Sequence, residues 1–76
     1  MRHTYTLVST SAGMSEAVCR TLRETDGVVD AFVIAGDFDI MVELEGDDSH
    51  AVLSTVTKRI RPLEGVGTTR TYVCLE

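Results

Sequence analysis

An α+β sandwich, with one four-stranded antiparallel sheet and two helices packed on one of its faces, is the fold class this sequence predicts. Three observations carry it. Apolar residues switch between strand-like and helix-like spacing along the chain, a connection near the middle is too short to join parallel strands, and a repeat relates the two halves. Tyr5 to Ser9 alternates and is rich in β-branched residues, which predicts a strand almost at the start. After Ser11-Ala12-Gly13, Met14, Val18 and Leu22 recur at helical spacing opposite Glu16, Arg20, Arg23 and Glu24. This helix is expected to start with Ser15 as its N-cap and to stop before Gly27.

Val28 to Ala35 is β-branched and apolar except for Asp30, and reads as a strand buried on much of both faces. Gly36-Asp37 is the turn signal before Ile40 to Glu45, where Ile40, Val42 and Leu44 alternate with Met41, Glu43 and Glu45. So short a connection joins antiparallel neighbours only, because a parallel crossover needs about a dozen residues or more. Gly46-Asp47-Asp48-Ser49 leads into a second helix, with one of Asp47, Asp48 or Ser49 accepting N–H bonds at its start. Val52, Leu53, Val56, Ile60 and Leu63 form its expected buried stripe, and Pro62 ends the regular helix near Arg61. Val66 to Leu75 is the last strand, with Thr69, Thr71, Val73 and Leu75 on one face and Thr68, Arg70, Tyr72 and Cys74 on the other.

The segment Leu22 to Val28 aligns with Ile60 to Val66, Gly27 falling on Gly65, 38 positions later. Two βαβ halves with right-handed crossovers and a hairpin between them give the ferredoxin-like βαββαβ sandwich over the single domain 1–76. Helices cover one face of such a sheet. The other carries Met41 with either the Phe32 and Ile34 set or the Ala31 and Val33 set, and a second copy packed face to face is the simplest cover.

Composition narrows the function. A chain of 76 residues buries only about 60% of its unfolded surface, so help from association is expected. The cysteines, Cys19 and Cys74, are too few for a disulfide framework or a zinc cluster. A net charge of −5 with seven scattered basic residues opposes binding to nucleic acid. Neither a signal peptide nor a membrane-spanning run is present, so the expectation is a cytoplasmic protein. His3 and His50 have no metal-ligand spacing around them, Cys19 reads as a buried hydrophobe, and no phosphate loop or Ser, His and acid set occurs. No enzyme, cofactor or metal is expected.

Gly36-Asp37-Phe38-Asp39 admits two readings. It is either plain hairpin chemistry or a loop tip whose carboxylates and free amides receive the ammonium and carboxylate of a zwitterion. Thr68, Thr69 and Thr71 are likewise ordinary strand threonines or hydroxyls aimed at that ligand.

Two motifs carry a family resemblance. Ala35-Gly36-Asp37-Phe38-Asp39-Ile40-Met41-Val42 is similar to a Gly-x-aromatic-Asp run leading into an aliphatic strand, and Gly65-Val66 followed by Thr69-x-Thr71-Tyr72-Val73 is similar to a Gly-Val then Thr-x-Thr pattern. In this order the chain resembles, over essentially its whole length, the C-terminal ligand-binding domain of the leucine-responsive regulator/AsnC family. The resemblance implies dimers made by packing two sheets, dimers assembled into rings, and small effectors, often amino acids, in clefts between dimers. Carried over by position, Gly36, Asp37, Phe38 and Asp39 would line the cleft, with Thr69 and Thr71 offering hydroxyls. The usual family member also has an N-terminal helix-turn-helix domain, which this sequence does not contain. The expected function is therefore an oligomeric amino-acid effector-binding module. A structural adaptor that mixes with full-length regulators, a small dimeric α+β barrel enzyme using Arg70 or Tyr72, and an ACT-type amino-acid-binding domain are the alternatives.

Overall fold

The computed structural model describes residues 3–75. Its elements are β1 (Thr4–Thr10), α1 (Ser15–Arg23), β2 (Val28–Val33), β3 (Ile40–Leu44), α2 (Ser49–Thr55) and β4 (Val66–Val73), with α2 running on into a π-helical turn at Val56–Ile60. The sheet order is β2-β3-β1-β4, every pairing antiparallel, and both helices lie on one face. The βαββαβ order and the two-layer architecture follow the sequence reading.

The internal repeat is a repeat of hydrogen bonds. Thr25 N–H donates to Leu22 O and Val28 N–H to Thr25 O, and 38 positions on Leu63 N–H donates to Ile60 O and Val66 N–H to Leu63 O. Gly27 and Gly65 occupy the same left-handed conformation, φ 91° and 93°, where an L side chain is strained. Leu22 and Ile60, fully buried, are the matching anchors. Each half therefore leaves its helix and enters its strand by the same hydrogen-bonded turn.

Strand register separates the faces. Thr4, Thr6 and Val8 of β1 pair with Leu44, Val42 and Ile40 of β3, and all six are buried beneath the helices. Ala31 pairs with Val42 and is also buried, whereas Phe32 pairs with Met41. The alternative left open for β2 thus resolves: the Ala31 set faces the helices and the Phe32 set joins Met41 on the open face. Val18, Cys19 and Leu22 from α1 and Val52, Val56 and Ile60 from the second helix complete the core.

Four local expectations need correction. First, β2 ends at Val33 and forms a sheet edge, so Val29 is 51% and Val33 49% exposed instead of buried on both faces. Apolar composition alone does not distinguish a central strand from an edge. Second, Ser15 does not cap α1. Met14 takes the N-cap position without a side-chain bond, and Ser15 Oγ lies 2.9 Å from Thr10 Oγ1, a tertiary contact that outcompetes the local one. Third, Leu53 falls off the buried stripe and is 47% exposed. The wide turn explains how the stripe continues. Residues four apart on an α-helix overshoot one turn slightly, and the π turn, closed by Arg61 N–H on Val56 O at 2.9 Å, takes that excess back and keeps Val52, Val56 and Ile60 in line over the sheet. Fourth, β4 ends at Val73, leaving Leu75 79% exposed beyond it. Asp48 is the second helix's N-cap, its Oδ1 accepting from Ala51 N at 2.8 Å, as one of the three candidates required.

These assignments separate two leucines of similar appearance in sequence. Leu22→Ala should cost about 2–5 kcal/mol of stability in a denaturant melt. Leu53→Ala should cost less than about 1 kcal/mol, and comparable losses would contradict the placement of the second helix.

Candidate functional site

Six residues, Ile34 to Asp39, connect β2 to β3, and the connection is tied down mainly by its last member. Asp39 O accepts from Ile34 N at 2.8 Å and closes the loop on itself, while Asp39 N donates to Val8 O at 3.0 Å. Its carboxylate Oδ2 accepts from the Thr10 amide at 2.7 Å and from Thr10 Oγ1 at 3.3 Å. Thr10 Oγ1 in turn meets Ser15 Oγ at the first residue of α1. The register of β1 against β4 shifts between Val8 and Thr10, so the Thr10 amide leaves the regular ladder at the point where Asp39 takes it up.

The rest of the loop stands clear of the body. Ala35, Gly36 and Asp37 are exposed, and Gly36 has φ 146° with open space where a Cβ would project. Phe38 is half-buried and lies under the Arg70 guanidinium, 5.7 Å from ring centre to Cζ. Arg70 pairs with Leu7 on the open face of the sheet, so Phe38 belongs to that face as well.

Thr69 and Thr71 occupy a different surface. They pair with Val8 and Thr6, side chains toward the helices, and Thr71 Oγ1 is 2.8 Å from Oγ1 of the fully buried Thr6. Gly36, Asp37, Phe38 and Asp39 thus sit together at one end of the sheet, but their link to β4 runs through Arg70 and not through the two threonine hydroxyls. Thr68 is held at the same end, where its amide donates to Ser9 Oγ at 2.7 Å.

The division of labour inside the loop differs from its sequence appearance. Asp39 is engaged through its amide, carbonyl and carboxylate, which makes it the anchor, and Asp37 is the carboxylate left at the exposed tip. Sequence reasoning missed Thr10 and Ser15 as partners of the loop. It weighed Arg70 only as an interior residue of a barrel, although strand alternation already grouped that residue with Tyr72.

Grooves also lie elsewhere among the described residues. One of about 260 Å³ runs between α1 and the Leu63-Glu64 turn, and another of about 460 Å³ is bounded by Gly27, the Glu45 to Asp47 segment and α2. Neither takes in the loop. Among the described residues no group of three or more His, Cys, Asp or Glu is placed to hold a metal ion.

The anchoring role has a measurable consequence. Asp39→Ala should lower stability by about 1–3 kcal/mol with no ligand added, because it strands the part-buried Thr10 amide. Asp37→Asn should leave the melting temperature unchanged.

Comparison with known proteins places this geometry. The family model for the Lrp/AsnC ligand binding domain matches residues 4–76. Hypothetical protein PHS023 from Pyrococcus horikoshii superimposes with a TM-score of 0.89 at 26% identity, covering 100% of this chain and 92% of that one. The transcriptional regulator NMB0573 from Neisseria meningitidis, solved as an L-Met complex, gives a TM-score of 0.84 at 18% identity over 99% of this chain and 50% of its own, a likeness of fold. A stretch of 60 residues, 79% of the chain, is 37% identical to a homocitrate synthase of Sulfurisphaera tokodaii and spans only 13% of that enzyme's length. With residues 4–76 matched by that family model, the chain belongs to the Lrp/AsnC ligand-binding domain family.

Proposed function

We infer that the chain is an oligomeric effector-binding module: copies associate through the open sheet face, and the Gly36 to Asp39 loop at its margin receives a small amino-acid-like molecule without catalysis. The observation that carries this reading is the joint exposure of the face and the loop. Phe32 is 43% and Tyr72 48% exposed on a face that also bears Met41 and Leu7, and burying such area returns about 25 cal/mol per Å². Ala35, Gly36 and Asp37 project from the end of the same sheet. A ligand at that tip would have solvent on most sides in a single chain, whereas useful affinity needs a concave site. A second copy supplies the missing wall.

The chemistry offered at the tip suits a zwitterion. Asp37 presents a carboxylate for an ammonium group, and Arg70, beside Phe38, presents a guanidinium for a carboxylate. The L-Met complex of the Neisseria regulator supports an amino acid as the ligand class. In this reading Thr71 holds β4 to β1 from the helix side through Thr6, and Thr69 faces the same side. Gly36, Asp37, Phe38 and Asp39 form the ligand loop, Asp39 by positioning the others.

Because this chain spans half the length of the Neisseria regulator, a second use is compatible with the same face, namely assembly with longer chains that carry the domain. Effector binding separates the two. Calorimetric titration with the common amino acids should find at least one that binds and raises the melting temperature, and Asp37→Asn should weaken it by about 1.5–3 kcal/mol. If no amino acid binds while the protein still assembles, the adaptor reading replaces the effector reading. Met41→Glu places a carboxylate in the apolar centre of the face and should give folded monomers by sedimentation. Unaltered association would show that another surface is used.

A further inference from the structure

At the β2 edge of the sheet, the outward backbone groups are not all in the same state. Along an antiparallel strand the amide and carbonyl of successive residues turn alternately toward a neighbouring strand and away from it. Ile34 N donates to Asp39 O on the β3 side, so Asp30 and Phe32 share that direction, and Ala31 and Val33 turn outward from the sheet. Ala31 meets two charged side chains there. Its amide donates to Asp30 Oδ1 at 2.8 Å, and its carbonyl accepts from Arg23 Nε at 2.9 Å. Arg23, the last residue of α1, also brings its Nε within 3.7 Å of Asp30 Oδ1 and closes the set into a ring. Val33 has no such partner among the described residues and is 49% exposed.

The strand itself shows what an uncovered edge here would attract. Val28-Val29-Asp30-Ala31-Phe32-Val33 combines β-branched and aromatic residues with a single charge and no proline, the composition of a segment that adds readily to other strands. Asp30 is that charge. Centred on Ala31, the segment is also its own antiparallel partner, with Ala31 opposite the partner's Ala31 and Val33 opposite the partner's Val29. We propose that Arg23 and Asp30 form a latch on the β2 edge, occupying the amide and carbonyl of Ala31 and so preventing β2 of a second copy from adding to the sheet. The open sheet face plays no part in this. For such a strand to add, each copy would lose both charge-assisted bonds, and the opposed Ala31 residues would regain only neutral ones. An ion pair whose side chains are 53% and 48% exposed contributes little to stability, so the latch acts on association more than on the fold.

Sedimentation of the double variant Arg23→Ala, Asp30→Ala tests the latch. The folded variant should reach a given average mass at about tenfold lower concentration than the natural chain, since strand addition no longer sacrifices bonds to charged groups. Adding Val33→Lys should restore the natural size distribution, because a lysine on the edge opposes strand addition without rebuilding the latch. Double-variant protein that sediments like the natural chain, or larger species that Val33→Lys leaves in place, would overturn the proposal. If the double variant does not fold, amide exchange in the natural chain decides the matter. The latched Ala31 amide should then exchange well below the rate of the Val33 amide, although both point away from β3, and equal rates would overturn the proposal.

Discussion

Covering only one side of the sheet is the constraint on which the rest of this structure depends. Two helices suffice to bury Val8, Ile40, Val42, Leu44 and Ala31, but strand alternation carries the intervening side chains to the opposite face. The described residues include no further element to lay over them. The polar and apolar residues on that face stay open in the single chain, and the loop at its edge is placed by the same strands.

The loop's position is set by one carboxylate. Asp39 joins the β2–β3 connection to Thr10, and Thr10 passes the contact to Ser15 at the head of α1. The β2–β3 connection, the end of β1 and the start of α1 are fixed together at that corner, beneath the exposed Ala35 to Asp37 tip. Rigid support beneath an exposed tip lowers the ordering cost of whatever the tip binds. Phe38 and Arg70 extend the same corner onto the open face, so the proposed ligand loop and the proposed interface share residues instead of occupying separate regions.

Much of the fold was legible because its signals are local. The offset between Gly27 and Gly65 marks a turn that each half repeats bond for bond, and alternation through Ile40 to Leu44 places Met41 on the open face correctly. What escaped depends on partners distant in sequence. Val29 and Val33 look like core residues until sheet order makes β2 an edge. The π turn has no residue signature, since it adjusts the phase of Val52, Val56 and Ile60 over a sheet that the helix's own sequence does not describe. In the candidate site, the motif located the loop, but Asp39 and Asp37 could not be told apart without the Thr10 amide, 29 positions away.

The account's central claim is that the bare face is completed by a second copy, and sedimentation of the unmodified chain over a range of micromolar concentrations tests it most directly. A species of at least twice the 8.3 kDa chain mass is expected. A single species at the chain mass throughout that range would contradict the claim.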